Sequence, residues 1–307
     1  MDKLVALEYF KTIARTRNIS AAAEELGISQ PALSNFVKRQ EASVGAVLVD
    51  RSTIPVSITE SRQAFIKYLE NVESLGRELS HEIEDYETLQ KGNLIVGGAV
   101  FFNVAYLPKA IAEFNKLYPG INIEIVDGLV PEITAEALAG RIDLFTTAIK
   151  SNEEDLCYEE MFKEKIFLCL PPEWEINNKL PQPGKEGYAE LSKDDFKLLK
   201  DSTFIVLHED QDIGRKMKAI FDKHGFQPQH VLTAGQTLTT LELTLAGAGI
   251  SLITESTLNH YNMDKKPKLY LVNPEICTRT MYVAYPKHRY ISQATKRFIE
   301  VLLKHNK

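Results

Sequence analysis

Residues Ser20 to Glu41 read SAAAEELGISQPALSNFVKRQE, and the punctuation of this stretch decides how the chain begins. Ala21, Ala22, Ala23 and Leu26 recur at helical spacing, and their small side chains let a second helix approach closely. Ser20 is placed to cap this first helix. Gly27 follows where a left-handed residue ends one. Ser29 then caps a second helix, and Pro31 sits in its first turn, where a missing N–H is harmless. Leu33 and Val37 lie four apart and face inward, so Gln30, Ser34, Asn35 and Lys38 point outward. Two short helices about a glycine turn have the form of a helix-turn-helix, whose second helix lies in the DNA major groove. Gln pairs with adenine through two hydrogen bonds, and Ser, Asn and Lys reach bases or phosphates. The unpaired N–H groups at the helix start suit a phosphate.

Working outward, Leu4, Leu7, Phe10, Ile13 and Ala14 give a preceding helix with one apolar face, interrupted at Asn18-Ile19-Ser20. VLVDRSTIPVSIT alternates about a turn at Ser52 to Pro55, which predicts a small β-hairpin, or wing. From Glu60 to Leu89 no proline occurs. Phe65, Tyr68, Val72, Leu75, Leu79, Ile83, Tyr86 and Leu89 advance by three or four, a coiled-coil-like stripe on one long helix. That stripe either packs on its own domain or pairs with a second copy, and self-association is the preferred reading because the helix would otherwise bridge two domains in the open.

The 307-residue chain is 44% hydrophobic and 25% charged, which suits a folded protein of two or three domains. Its net charge of −6 is unusual for a partner of a polyanion. Residues 1–60, however, hold seven bases and seven acids, with Lys38, Arg39 and Arg51 at or near the proposed face. The balance argues against strong nonspecific DNA affinity and leaves sequence-specific binding open. No run reaches the length of a membrane span, and the charged start MDKLVALEYFKTIARTR is unlike a signal peptide, so the expected location is the cytoplasm. Cys157, Cys169 and Cys277 are too far apart for a disulfide framework or a CxxC metal site, and Cys169 reads as a buried structural thiol.

After Lys91-Gly92, strand-like runs (LIVGGAV, INIEIV, DLFTTAI, KIFLCL, FIVL, ISLI, KLYLV, MYVAY) alternate with helical ones, which predicts parallel sheets with crossover helices. PPEWEINNKLPQPGKEGYAELS reads as a polar surface loop. An enzyme is not the expectation. His208-Glu209-Asp210 lacks HExxH spacing, His224 and His230 do not face together on a helix, and no GxSxG elbow, P-loop or GxGxxG occurs. Gly247-Ala248-Gly249 precedes a strand and reads as a helix-ending turn.

AA-E-LG-SQPALS, then E--VGA-L-DR and ITE, resembles the N-terminal signature of LysR-type transcriptional regulators, and LAGRIDLFTTAI and LAGAGISLIT extend the resemblance along the chain. It implies an α+β multidomain fold. A winged helix-turn-helix would occupy 1–59 and a dimerising linker helix 60–90. A two-lobed α/β effector domain like a periplasmic binding protein would occupy 91–307, with lobe I at 91–166 and 270–307 and lobe II at 167–269. It further implies homodimers joined into a homotetramer, double-stranded promoter DNA as partner, and a small effector in the interlobe cleft. No catalytic residue, metal, cofactor or membrane contact is called for.

By resemblance, Gln30, Pro31 and Ser34 match the recognition-helix residues and Arg51 in DRS is the wing arginine on a phosphate; Ser29, Asn35 and Lys38 complete the expected DNA face. Asn35, Phe36, Gln40 and Thr53-Ile54-Pro55 depart from the family's usual residues and alter the expected contacts. In the cleft, Ala99, Val100 and Phe101 stand where many members present Ser or Thr. Leu129, Val130 and Thr147 are placed on the same lobe, and His208, Gln211, Gln236 and Thr237 on the other. Two readings stay open. The Phe101 or Phe102 ring fills the cleft, or the effector is a less polar or aromatic molecule stacked on one of them.

Overall fold

The computed structural model describes residues 3–50, 57–58, 60–86, 91–151 and 153–306. It divides into two compact units, one running through the long linker helix and the other holding nearly all of the chain beyond it.

The first unit opens with α1 (Lys3–Thr16), α2 (Ile19–Glu25) and α3 (Gln30–Val44). Ala6, Leu7, Phe10, Ile13, Ala22, Ala23, Leu33 and Val37 are buried together at their crossing. Asn18, and not Ser20, caps α2. Its backbone is extended, and its Oδ1 accepts from the Ser20 and Ala21 N–H groups at 2.8 and 3.1 Å. The physical reason is that Arg17 turns left-handed at φ 49°, which ends α1 early and starts α2 one residue before Ser20. Gly27 takes φ 66° after α2, and Gly45 takes φ 72° after α3, both positions a side chain resists. Glu41 Oε1 accepts from the Leu48 and Val49 N–H groups, which leads the chain into the wing strands β1 (Val49–Asp50) and β2 (Ser57–Ile58), paired antiparallel. The tip between them, including Arg51 and Thr53-Ile54-Pro55, lies outside the described residues.

The linker helix α4 runs Glu60–Tyr86. Its stripe divides along its length. Phe65 and Leu69 are buried on the helix-turn-helix, with the Phe65 ring edge-on to Phe10 at 5.3 Å, and the wholly buried Arg62 donates to the Phe10 carbonyl at 2.8 Å. Burial lowers the Arg62 pKa. Leu75, Leu79 and Ile83 are each more than half exposed. Leu89 lies outside the described residues.

The second unit has two lobes. Lobe I contains β3 (Gly92–Gly98), α5 (Val100–Leu117), β4 (Ile121–Asp127), α6 (Val130–Leu138) and β5 (Leu144–Thr147). β3 pairs parallel with both β4 and β5. The 15-residue strand β6 (Leu156–Leu170) then leaves the lobe. Lobe II contains β7 (Ala189–Glu190), α7 (Lys193–Lys197), β8 (Thr203–Leu207), α8 (Asp212–His224), β9 (His230–Ala234) and α9 (Thr237–Leu245). β10 (Ile250–Thr254), α10 (Glu255–His260) and β11 (Lys268–Leu271) complete it. β12 (Thr278–Pro286) and α11 (Gln293–His305) return to lobe I.

The sheets are mixed. Each lobe has a parallel triplet, β4-β3-β5 or β10-β8-β9, completed by antiparallel strands. β6 serves both lobes. Leu156–Lys165 run along β12 with a register shift at Met161, and Ile166–Leu170 pair with β10 and β11. β11 still belongs to lobe II, since Tyr270 pairs with Leu168, so the return crossing falls after Leu271 and not at 270. Val272 and Cys277 stay in the lobe II core for the same reason. In lobe I, α5 and α11 cover one sheet face through Phe102, Leu107, Phe114, Phe298 and Leu302. Ile133 and Ala137 of α6 cover the other. In lobe II, Met217 and Ile220 of α8 pack on one face, and Leu241 of α9 on the opposite one.

The stretch 171–192 is more than a surface loop. It holds a 3-10 turn (Glu175–Lys179), and Leu180, Ala189 and Leu191 enter the core. The buried Asn177 donates to the Pro171 carbonyl at 2.9 Å. Widely spaced apolar residues among polar ones conceal this packing in the sequence. Cys169 is fully buried, and burial pushes its thiol pKa up.

Candidate DNA-recognition helix and ligand cavity

On α3, Ser29 Oγ accepts from the Ala32 N–H at 3.4 Å, and Pro31 stands in the first turn. Gln30, Pro31, Asn35 and Lys38 are exposed, and Ser34 is half-buried. Gln30 Nε2 donates to Ser34 Oγ at 2.9 Å, so the two hydrogen-bonding side chains are held as a pair along the outer face. Phe36 packs edge-on against Tyr9 at 4.8 Å, with the Arg39 guanidinium 5.9 Å from its ring centre. This departure from a polar residue is therefore absorbed by packing beside the outer face. Gln40 is buried in the same helix.

The second unit holds a cavity of about 390 Å³ between the lobes. Four helices begin at it: α5 and α6 from lobe I, α8 and α9 from lobe II. Of the expected residues, Ala99, Val100, Phe101, Leu129, Val130, Gln211, Gln236 and Thr237 line it. Thr147 and His208 do not. Thr147 is buried, and its hydroxyl is engaged with the Ile149 N–H and carbonyl at 3.0 and 3.1 Å. His208 is exposed on the turn before α8. Its carbonyl faces α8, where only the missing side chain of Gly214 allows the approach. The rings do not fill the cleft. Both rings line it from the side while packing into the lobe I core, Phe102 buried and Phe101 half-buried.

The sequence reading missed several cavity residues. Asp127 is held by Asn103, whose Nδ2 donates to Asp127 Oδ1 at 2.8 Å. Glu132 Oε2 accepts from the Leu129 N–H at the start of α6. The expected Gln211 donates from Nε2 to the Gly235 carbonyl at 3.0 Å and so ties the start of α8 to that of α9. At the base lies a buried ion triad. Arg279 on β12 faces Glu164 on β6 across the two strands that join the lobes. Its Nε donates to Glu164 Oε1 at 2.7 Å, and its Nη1 to Asp212 Oδ2 at 3.2 Å. Glu164 Oε2 in turn accepts from the Ser256 N–H and hydroxyl at 3.1 and 2.5 Å. Burial opposes the Arg279 charge, but Glu164 and Asp212 more than offset it and raise its pKa. The partners of Arg279 lie 115 and 67 positions away, so no local pattern announces them.

The family model described as LysR substrate binding domain matches residues 87–307, and that of the bacterial regulatory helix-turn-helix protein, lysR family, matches residues 4–61. The chain belongs to the LysR family. It is a DNA-binding transcriptional regulator with a substrate-binding domain. Among relatives, this LysR-family chain is 25% identical over 304 residues to YybE of Bacillus subtilis strain 168, an uncharacterised HTH-type transcriptional regulator, with 97% of each chain covered. Its fold is similar to that of CbnR, a LysR family transcriptional regulator, with a TM-score of 0.71 at 18% identity over 100% of both chains. CbnR complexed with its target DNA gives 0.69 at 19% identity, covering 99% of this chain and 100% of that one. The effector binding domain of BenM with its effector benzoate gives 0.57 at 18% identity, covering 69% of this chain and 91% of that one. Among the described residues of this regulator, no helix is long and apolar enough to cross a membrane.

Proposed function

We propose that this regulator binds promoter DNA through the exposed face of α3 and that a small effector in the interlobe cavity modulates that binding. Ser29, Gln30, Pro31, Ser34, Asn35 and Lys38 meet the duplex, with Arg51 of the wing on a phosphate. The observation that carries the effector reading is the 390 Å³ cavity framed by four helix starts from both lobes, astride the two joining strands. Any occupant touches both lobes and so has differential contacts with their open and closed arrangements. CbnR with target DNA and BenM with benzoate support the two halves of the reading. The protein acts by binding in the cytoplasm, without a catalytic step, metal or cofactor.

The exposed Leu75, Leu79 and Ile83 of α4 pair with a second copy, and two dimers join as a tetramer. Leu75→Asp with Leu79→Asp lowers the mass seen by light scattering; an unchanged mass removes α4 as the dimer contact. The DNA role is tested by fluorescence anisotropy of the full chain on a duplex from its own upstream region beside a scrambled one. Preference for the native duplex, weakening steeply with salt, is expected. Equal and feeble binding to both duplexes refutes sequence-specific recognition by the chain alone.

A further inference from the structure

The charge of the cavity wall bears on what enters it. Four carboxylates line it, Asp127, Glu132, Asp210 and Asp212, and Arg279 is the cation among the described lining residues. That guanidinium is already answered twice, with Glu164 Oε1 within 2.7 Å of both Nε and Nη2 and Asp212 Oδ2 3.2 Å from Nη1. It also lies over the Phe102 ring, 5.1 Å from the centroid. A ligand carboxylate would therefore meet a compensated cation beside three further negative groups, and repulsion strengthens where water is excluded. Helix starts offset part of this field, each with about half a positive charge. Two of the four already hold an acid in their first turn, Glu132 on α6 and Asp212 on α8. α5 and α9 hold neither a first-turn acid nor a side-chain cap, so their free N–H groups, about one positive charge together, donate to an oxygen of the ligand and offset only part of the four lining carboxylates.

We propose that the occupant of this cavity carries a cationic amine that docks on Asp212 in competition with Arg279, an inference that rests on the cavity being the effector site. Glu164 is the fixed partner of the triad, because its second oxygen is held by Ser256. Asp212 is the exchangeable one, half-buried, on the cavity wall and with the longer bond. One guanidinium between two carboxylates leaves an excess negative charge, and an ammonium neutralises it. Val100, Phe101, Val104, Leu129 and Leu238 give the apolar body of the molecule its wall. Occupancy then loosens α8 from β12, so the ligand acts on a joining strand through the acid it binds.

The test is titration calorimetry of the full-length chain with two probes of equal shape, 3-phenylpropylamine and 3-phenylpropionate. The amine is expected to bind at least about tenfold more tightly, since a charge-assisted hydrogen bond is worth a factor of that order. Asp212→Asn is expected to lose about tenfold in amine affinity. Asp210→Asn, on the exposed turn and outside the triad, provides a second variant that keeps the Arg279 pairing and weakens the amine by a smaller factor. Tighter binding of the propionate, or amine binding that both variants leave unchanged, overturns the inference while the effector reading stands. Failure of both probes to bind overturns this inference as well, and leaves the effector reading to ligands of other chemistry.

Discussion

The proposed recognition face and the cavity are built in opposite ways. The first occupies one stretch from Ser29 to Lys38 on a single helix, held by its own cap and by Leu33 and Val37 beneath. The second is assembled from residues as distant as Ala99 and Arg279, brought together only when two sheets share β6. A contiguous site depends on local geometry and can be altered one residue at a time. A composite site depends on the whole unit and fails with any of its joining strands.

The largest expected effect separates the two units. Phe10→Ala opens the helix-turn-helix core and costs about 3–5 kcal/mol. Helix melting by circular dichroism should fall while fluorescence of Trp174, the sole tryptophan, keeps its transition, because that side chain packs in lobe II. A shared shift of both signals would show that the units melt as one. Next, Gln30→Ala is expected to cost ~1–3 kcal/mol at one base pair and to relax preference there. Identical loss on every operator variant would make Gln30 a support for Ser34 and not a reader of bases. Asn18→Ala should cost about 1 kcal/mol as a lost cap, while Ser20→Ala stays within about 0.5 kcal/mol. The reverse order in urea melts would return the cap to Ser20.

The smallest effect concerns the second unit's C-terminal helix. Glu113 on α5 pairs with Lys304 at 2.7 Å and His305 at 2.6 Å, and these hydrogen bonds hold its carboxyl below the ordinary range. A lowered folded pKa stabilises the native state above the unfolded value, near 4.3, and that contribution fades as pH falls through the folded value. Glu113→Gln should therefore lower the melting temperature at pH 6, by an amount that shrinks as pH falls below the ordinary carboxylate range. A gap that does not shrink in acid would assign the effect to packing.

The difference between the sites also explains what could be read from the letters alone. Gly27, Ser29 and Pro31 each act on neighbouring backbone, so α3 and its outward face are legible from their spacing. Ser20 misled because the cap depends on Arg17 adopting a left-handed turn that its residue type disfavours. In the cavity, Ala99, Val100, Leu129, Val130, Gln211, Gln236 and Thr237 are placed by the family resemblance, and they line it at helix starts that follow strands. Arg279 and Glu164 belong to no such pattern, and Asp212 opens α8 without announcing its partner. Their pairing comes from the register of β6 against β12 and the docking of α8, which no run of neighbouring residues encodes. Thr147 is placed in the cleft by resemblance, yet its hydroxyl closes a local turn with Ile149.

The late return of the chain to lobe I has a consequence on the ribosome. The sheet of lobe I needs β12 between β5 and β6, and α5 needs α11 beside it. Between the emergence of Leu117 and that of His305 all of lobe II must be synthesised, which at 5–20 residues per second takes on the order of 10–40 s. The helix-turn-helix is complete long before then. During that interval β5 stands as an open strand edge and the Phe114 face of α5 is uncovered, so the nascent regulator is a natural client for a chaperone that shields half-built sheets.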